Sequence, residues 1–593
     1  MRNFVTLACL LLAAAAAARS PDSVSMQLHT LFAASDEANL KRNPLQALYR
    51  GDLRYAGEFG DDLSDAYFAA EKAAAVADLE ALTHIDRSSL AERDRVSYDV
   101  FRFQREDTLE GLEPALLKMQ IERPIEHFYG AQASIPQLSS GEGAAPFKTV
   151  ADYDNNLRRL AGYIVYLDRA IVRMRQGLAD GITNPKLVMT HVVSQLDSLI
   201  AEGVDHSTFF KPTEHFPDTV PPADRTRLRK AYAQFIRDEL TPAHRRLCDF
   251  LKTEYLPHAR DSFGLSQMPG GLRLYRHLVA SATTTTMTPE EIHALGLSEV
   301  KRIHLEMEKV KTTAGFHGTL KEFDTFMRND PRFAPASREA MRAAFLAIDR
   351  KLQATIPRDF TLLPKSPLEL RPVPGMTEKT EAGGSYDGGT PDGSRPGIFY
   401  YNTYDLPSRR TWGFETLFLH EGIPGHHFQT SLAQENTALP AFQRFGGNTA
   451  YDEGWALYAE SLGLELGLFT DPYQMYGHLN DEILRAMRLV VDTGIHAQAW
   501  DRNRSIDYML ANSAMSRTDA TAEVDRYIAV PAQALAYKIG QLTIQRLRTK
   551  AEKELGPRFD VRAFHAQVLM SGSVPMAVLE HKIEDWIALR QRS

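Results

Sequence analysis

The sequence predicts a mainly α-helical protein with a small strand element beside the candidate site. Hydrophobic residues make up 44% of the 593 residues and charged residues 24%, which are typical values for globular proteins. These values exclude a chain that is disordered throughout, a coiled coil and a collagen-like protein. The chain is too long for one ordinary core, so we expect either two or three domains or a large helical assembly built as lobes.

The charge balance argues against a nucleic-acid partner. The chain has 68 Lys and Arg residues against 76 Asp and Glu residues, for a formal net charge of -8. No basic block stands out, and phosphate binding needs clustered cations. We therefore expect no nucleic acid among the partners.

The first twenty residues have the pattern of a signal peptide. A short positive start, Met1 to Asn3, precedes an apolar run from Phe4 to Ala18. At about 15 residues this run is short for a bilayer span, which needs roughly 20, and Cys9 within it lacks a good lipoprotein-box context. We assign residues 1–20 to a signal peptide that is discarded with Cys9, and expect a periplasmic or extracellular protein without stable membrane insertion. The mature chain keeps only Cys248 and cannot form an internal disulfide.

The remaining chain, residues 21–593, is predicted to form a helical N-terminal part, about 21–265, and a second part, about 266–593, that carries a histidine-rich motif. Thr288-Pro289-Glu290-Glu291 predicts a helix start, because threonine caps well, proline suits the first turn and acidic residues favour the positive end of the helix dipole. Helical periodicity covers 25–117, 149–203, 223–255, 410–433, 451–467, 481–498 and 529–555.

The least helical region runs from Leu363 to Arg410 and is rich in glycine and proline. Within it, Gly397 to Thr403 has the aromatic composition of a short strand. A loop this rich in turn residues within a compact protein usually has a function. We expect this strand to lie beside the chemistry.

The motif with the most chemical information runs from His420-Glu421 to His426-His427. In an HExxH helix, two histidines four residues apart share a face and bind zinc, but this chain has no HExxH. In a straight helix, His420 and His426 would lie about 9 Å apart along the axis, too far to share a metal. Pro424-Gly425 predicts a bulged helix in which His426 becomes the second ligand. His427 is the alternative ligand, or else supports the site or faces the substrate.

A third protein ligand is expected downstream, with one position left for water. Glu453 and Glu460 are seven residues apart on one helix face, so only one of them can approach the metal. Glu453 is preferred because it begins its helix, and Glu460 is the fallback. One zinc ion per chain would then activate water, and Glu421 would take the proton of that water and pass it to the leaving amine.

Further candidates follow from the need to bind substrate and stabilise an oxyanion. Tyr527 and Tyr537 are candidate hydrogen-bond donors, and His496 is a candidate for binding a peptide carboxylate or carbonyl. Arg488 is a second candidate for that contact, and Arg395 either holds a substrate carboxylate or pins its own loop. Each tyrosine, and His496, has an ordinary alternative as a core residue with its polar atoms satisfied.

These residues resemble a known bacterial family, domain-of-unknown-function family 885, whose signature is HE-G-x-P-G-H-H and whose members are classed as candidate metallopeptidases. The resemblance covers nearly the whole mature chain. Beyond His420 to His427 it includes Leu295–Val300, Asp392–Gly397, Asp452–Tyr458, Val491–His496 and Arg526–Ile528, with Pro531, Gln533 and Tyr537.

At greater distance the order of motifs is similar to the helical zinc peptidases related to angiotensin-converting enzyme, thimet oligopeptidase and carboxypeptidase Taq. That resemblance implies two helical lobes around a deep cleft, in which an edge strand binds the peptide backbone. By position, Gly397 to Thr403, which contains Tyr400, is the implied edge strand. Tyr527 is the implied transition-state tyrosine.

The resulting expectation is an exported zinc metallopeptidase that acts on short peptides, as a carboxypeptidase-like exopeptidase or an oligopeptidase. Two alternatives remain at this point. One is a zinc hydrolase of another amide, ester or cell-wall peptide. The other is a peptide-binding protein whose stretched motif no longer catalyses.

Overall fold

The protein is described by a computed structural model covering residues 21–374, 378 and 382–592. Over these residues the chain is mainly α-helical with one three-stranded sheet, which confirms the predicted fold class. The predicted signal peptide, residues 1–20, lies outside the described residues. Among the helices that are described, none has the length and apolar character needed to cross a bilayer.

The first part of the chain contains helices α1 to α11. Their bounds are α1 Pro21–Arg42, α2 Pro44–Tyr49, α3 Asp65–Thr83, α4 Glu92–Gly111, α5 Pro114–Ile121, α6 Ala131–Ser139, α7 Val150–Asp180, α8 Lys186–Ala201, α9 Pro222–Phe235, α10 Thr241–Phe250 and α11 Gly271–Thr283.

The second part of the chain contains helices α12 to α24. Their bounds are α12 Pro289–Thr313, α13 Leu320–Asn329, α14 Arg338–Thr355, α15 Phe414–Glu421, α16 His426–Glu435, α17 Ala441–Arg444, α18 Thr449–Ser461, α19 Pro472–Gln498, α20 Arg502–Asn512, α21 Arg517–Ala529, α22 Ala536–Leu555, α23 Val561–Leu569 and α24 Met576–Arg592. The predicted start of α12 is confirmed, since Thr288 and Glu291 cap each other's backbone N–H groups around Pro289.

The sheet contains β1 Leu368–Pro372, β2 Gly384–Asp387 and β3 Gly397–Tyr401, in the order β1-β3-β2. β3 pairs in parallel with β1 and antiparallel with β2. The expected strand is therefore present, but the expectation that it is an edge strand is wrong. Both of its sides are paired, because segments from the Gly- and Pro-rich region supply a partner on each side, and the free edges belong to β1 and β2.

Two large hydrophobic cores hold the helices together, and both draw on the two parts of the chain. One core packs α7, α8 and α10 against α12, α19 and α21. The other packs α1 and α4 against α14, α15, α18, α22 and α24, with the sheet at its side. The predicted division near residue 265 stays a prediction, and both cores are shared across it.

A close crossing of α18 and α22 determines the position of the candidate site. Gly454 of α18 lies against Gly540 of α22, where a Cβ atom on either residue would collide with the opposite backbone. Glu453 directly precedes the first glycine, and Tyr537 lies three residues before the second. Residues from two distant segments therefore meet at this crossing.

Candidate metal centre

The segment around the histidine motif forms two helices instead of the single bulged helix that the sequence predicted. α15 ends at Glu421, a turn follows in which the Ile423–Pro424 peptide bond is cis, and α16 begins at His426. Gly425 packs so closely against backbone carbonyls of α15 that a Cβ atom would collide with them. The turn brings the rings of His420 and His426 to a centroid distance of 4.9 Å, perpendicular to each other.

The side chains of His420, His426 and Glu453 converge on one point. Each offers one donor atom, and these atoms all lie within 4.8 Å of one another. The Nε2 atoms of His420 and His426 lie 3.5 and 3.4 Å from Glu453 Oε2. Trp455 Nε1 donates to the Pro424 carbonyl at 2.8 Å, which ties α18 to the turn between the two histidines.

The spacing of these atoms fits a single tetrahedral zinc ion. Ligand bonds of about 2.0–2.1 Å at a tetrahedral angle place donor atoms about 3.3 Å apart, close to the 3.5 and 3.4 Å that separate the two imidazoles from Glu453 Oε2. Glu453 Oε2 is buried and makes no hydrogen bond to any described residue, so a cation would satisfy an otherwise orphaned acceptor. Two imidazoles and one carboxylate are also a donor set of catalytic zinc sites. Within the described part of the chain, this is the one group of His, Cys, Asp and Glu side chains that converges in this way.

Glu460, the fallback ligand, contacts His420 from the side opposite to Glu453. The Nδ1–H of His420 donates to Glu460 Oε1 at 2.8 Å, and the Thr416 hydroxyl donates to Glu460 Oε2 at 2.9 Å. Because a carboxylate oxygen can only accept, this contact places a proton on Nδ1 and leaves Nε2 to face Glu453. Histidines that bind metals are commonly oriented by such a carboxylate.

The buried charges of the donor set hold one another in place. Burial lowers the pKa of His420, but the nearby carboxylates of Glu453 and Glu460 outweigh this effect and raise the pKa to about 10. Burial also lowers the pKa of His426, and Glu453 outweighs it and raises that pKa above its ordinary value. Burial raises the pKa of Glu453, but the two imidazoles hold it well below its ordinary value. A cation that binds between these side chains would therefore compete with a proton on His420.

Glu421, the predicted general base, ends α15 and is buried next to the donor set. Its negative charge raises the pKa of both His420 and His426, so its carboxylate lies within electrostatic reach of both rings. In the described part of the chain, no hydrogen bond or ion pair engages this carboxylate. It is therefore free to accept a proton.

His427 has different neighbours from His426. Its Nδ1 accepts a hydrogen bond from the Tyr386 hydroxyl at 3.1 Å, and the Ser431 hydroxyl lies 3.5 Å from the same atom. Burial lowers the pKa of His427 to about 4, so the ring is neutral near pH 7. Of the two adjacent histidines, His426 is the one that joins the converging donor atoms.

Tyr527 is fully buried, and its hydroxyl is engaged on both sides. It donates to Glu523 Oε2 at 2.5 Å and accepts from Arg488 Nε at 3.2 Å. The phenolic proton is thus committed to a neighbouring carboxylate. This placement argues against the prediction that Tyr527 donates to a transition state.

Tyr537 lies nearer to the donor set. Burial raises its pKa, and the charged group that raises it most is Glu453. Its hydroxyl accepts from Arg526 Nη2 at 3.3 Å and donates to none of the described residues, while the Arg488 guanidinium stacks 4.4 Å from its ring centroid. Tyr537, predicted as a substrate-binding residue, therefore has an uncommitted proton close to the donor set.

His496 is a structural residue. It is fully buried, its Nδ1 accepts from the Leu265 backbone N–H at 3.2 Å, and its Nε2–H donates to the Tyr527 carbonyl at 2.9 Å. Burial lowers the pKa of His496 to about 3. This placement contradicts the prediction that His496 binds substrate, because both ring nitrogens are already used by the backbone.

Arg395 and Tyr400 line a cavity of about 1070 Å³ beside the sheet. Ser385 and Asp387 of the edge strand β2 line the same cavity, and Thr430 contributes from α16. The cavity therefore adjoins the helix that carries His426, and substrate binding by Arg395 and Tyr400 stays a prediction.

Sequence reasoning missed two residues of this region. Glu523 binds Arg488 and Tyr527, and the one available signal was its position one helical turn before Tyr527. Tyr386 contacts His427 from β2, which lies about 40 residues away along the chain, and no local pattern indicates that contact.

Comparison with known proteins gives a family but no activity. The profile of a family described as "Bacterial protein of unknown function (DUF885)" matches residues 44–583. No curated protein matches.

Two solved structures share the fold. The crystal structure of a "putative lipoprotein" from Colwellia psychrerythraea has 26% sequence identity and a TM-score of 0.87, covering 95% of this chain and 99% of that chain. A "putative lipoprotein of unknown function" from Shewanella oneidensis has 19% identity and a TM-score of 0.71, with the same coverage of 95% and 99%. Because the family profile spans most of the sequence, including every residue of the donor set, this chain belongs to the bacterial DUF885 family.

Proposed function

We propose that this protein is an exported zinc-dependent metallopeptidase that hydrolyses short peptides. The observation that carries the proposal is the convergence of His420, His426 and Glu453 around a buried carboxylate oxygen that lacks a hydrogen bond. The order of motifs, which is similar to that of the helical zinc peptidases, supports the same reaction class.

His420, His426 and Glu453 would hold the ion and leave its fourth position open. When bound, zinc supplies a Lewis acid at that position. Glu421 takes the proton of the attacking water and returns it to the leaving amine, since its carboxylate is beside the donor set and unpaired among the described residues.

Tyr537 is the proposed donor to the developing oxyanion, because its hydroxyl proton is uncommitted and Glu453 lies close to it. Tyr527 supports the position of Tyr537 indirectly, through two other side chains. It holds Glu523 against Arg488, whose guanidinium in turn packs on the Tyr537 ring.

The proposed substrate is an extended peptide in the cavity beside the sheet. The outer edge of β2 is unpaired within the sheet, and Ser385 and Asp387 of this strand face the cavity. An extended peptide adds to such an edge through backbone hydrogen bonds. A cleft of this kind admits short peptides and excludes folded proteins, which favours exopeptidase or oligopeptidase action.

Export is part of the proposal. Residues 1–20 have the signal-peptide pattern, and the two structural neighbours are described as putative lipoproteins. We propose the periplasm as the site of action.

The test is the Glu421→Gln variant of the zinc-loaded protein. We expect cleavage of a panel of short peptides to fall by at least about 100-fold, because the general base is lost. Zinc should stay at about one per chain, since Glu421 is not a ligand. Glu552→Gln, an exposed carboxylate on α22, is the matched control and should leave cleavage unchanged.

Full activity in Glu421→Gln would end the peptidase proposal. Cleavage of cell-wall fragments but not of the peptide panel would favour the other zinc-hydrolase class. Zinc content and tight peptide binding without any turnover would favour a binding protein.

A further inference from the structure

A cluster of two arginines and one glutamate lies behind Tyr537. Arg488 occupies both carboxylate oxygens of Glu523, with Nη2 at 3.2 Å from Oε1 and 3.0 Å from Oε2. Tyr527 donates to the same carboxylate. The nearest approach of Arg526 to Glu523 is 3.9 Å, from Nη1. Glu523 is therefore saturated by Arg488 and Tyr527, and the cluster keeps an excess of one positive charge, which lies on Arg526.

Arg526 has a nitrogen left for a ligand. Its Nη2 donates to Gln533 Oε1 at 2.8 Å and to the Tyr537 hydroxyl at 3.3 Å. Its Nη1 makes no hydrogen bond to any described residue and is not enclosed, and the side chain is 13% exposed. Arg488 is a poorer candidate, because its one unbonded nitrogen, Nη1, is enclosed by protein.

The position of Arg526 connects the donor set to open space. Arg526 Nη2 donates to the Tyr537 hydroxyl at 3.3 Å, and Tyr537 belongs to the helix that crosses the Glu453 helix at Gly454 and Gly540. On the other side, Gln533 lines a cavity of about 490 Å³, together with Asn448 and Thr449 at the start of the helix that carries Glu453. A group bound at Arg526 is therefore close to Tyr537, and the contact with Gln533 places Arg526 next to the wall of this cavity.

We propose that Arg526 binds the C-terminal carboxylate of the substrate, so that the substrate class is short peptides with a free C-terminus. This inference rests on the proposed function, because it names the substrate of the same site. Because Gln533 and Tyr537 hold Nη2, the guanidinium is fixed in place, and its Nη1 N–H groups remain as donors for a charged hydrogen bond to a carboxylate. The Phe128 ring, whose centroid lies 4.8 Å from the guanidinium carbon, packs on one face of the Arg526 guanidinium and restricts its orientation.

The test measures binding, using the tetrapeptide Ala-Ala-Ala-Phe as the free acid and as its C-terminal amide. The protein is the zinc-loaded full chain with Glu421→Gln, so that the peptide stays intact during calorimetric titration. We expect the acid to bind at least about 10-fold more tightly than the amide, since the amide removes the charged partner of Arg526. Adding Arg526→Gln should remove this preference by weakening the acid and changing the affinity for the amide less than about 2-fold.

Two further variants separate recognition from folding. Arg526→Lys keeps the charge without the planar fork, so the preference for the acid should fall but stay measurable. Arg504→Gln is the matched control, because Arg504 also stacks on an aromatic ring, that of Trp500 at 4.0 Å, on the exposed surface. It should leave both affinities unchanged.

The inference is overturned if the parent protein binds the acid and the amide equally or binds neither. It is also overturned if the preference survives in Arg526→Gln, as it would if the carboxylate bound the metal itself. Cleavage by the protein with Glu421 intact keeps the two proposals distinguishable. Equal cleavage of both peptides would support the peptidase proposal and overturn the proposed contact between Arg526 and the carboxylate. An Arg526-dependent preference in binding without any cleavage would support the contact and overturn the peptidase proposal.

Discussion

His420 and His496 are both buried histidines with a hydrogen bond on Nδ1, yet their surroundings are opposite. His420 contacts Glu460 on one side and faces the orphaned oxygen of Glu453 on the other. His496 uses both ring nitrogens on neutral backbone groups. The pKa of His420 is raised to about 10 by its carboxylates against the effect of burial, and the pKa of His496 is lowered by burial to about 3. The charge of the partners, and not burial, separates a candidate ligand from a structural residue.

The largest expected effect tests which of the adjacent residues His426 and His427 is a metal ligand like His420. His426→Ala should weaken zinc binding by about 1000-fold, because it removes one of the three protein ligands and with it roughly one third of the binding free energy. His427→Ala should keep about one zinc per chain, because that ring contacts Tyr386 instead. Metal analysis after dialysis measures both. Loss of zinc from His427→Ala, with zinc retained in His426→Ala, would reverse the comparison.

His496→Ala tests whether His496 is a structural histidine. It leaves the Leu265 N–H and the Tyr527 carbonyl without partners in the core, so we expect the free energy of unfolding to fall by about 3 kcal/mol. Denaturant unfolding measures this loss, and zinc content should not change. A variant with unchanged stability and a raised KM would show that His496 contacts substrate after all.

The sequence was sufficient to anticipate which three side chains converge, because the information is local. His420, Glu421 and His426 lie within seven residues, and the glycine and proline between them indicate an interruption of the helix. Glu453 was preferred because it was expected to begin its helix; that detail is wrong, since α18 begins at Thr449 and Glu453 lies in its second turn, but Glu453 is the carboxylate that converges with the two histidines. The same reasoning predicted the mainly helical fold.

It was insufficient where a role depends on contacts between distant segments. Tyr527 and Tyr537 are equivalent as sequence patterns, and only the crossing of α18 and α22 places the second one near Glu453. The partners of His496 come from residue 265 and from α21, so its structural role had no local signal. The strand β3 was recognised by composition, but edge or central position depends on pairing with segments elsewhere in the chain.

Glu460→Gln sharpens the comparison by changing the charge of one partner of His420. The amide can still accept from Nδ1 but no longer polarises the ring, so we expect zinc affinity to fall by about 10- to 100-fold. Competition with a chelator measures it. Glu465→Gln, an exposed residue that pairs with Arg548 just beyond α18, is the matched control. Unchanged affinity in Glu460→Gln would mean that the carboxylate does not act through His420.

The smallest expected effect is the change in zinc affinity per pH unit. Without metal, the raised pKa of about 10 keeps His420 protonated between pH 6 and 8, and the pKa of His426 is raised as well. Zinc must displace such protons, so affinity should rise with pH, by about 10-fold per pH unit for each proton displaced. A histidine of ordinary pKa, about 6.5, would lose this dependence above pH 7. Titration calorimetry in buffers of different ionisation enthalpy counts the protons released at pH 7.5. A release near zero would show that the carboxylate partners do not keep these rings protonated. His420 and His496 would then differ in the arrangement of their neighbours but not in their charge.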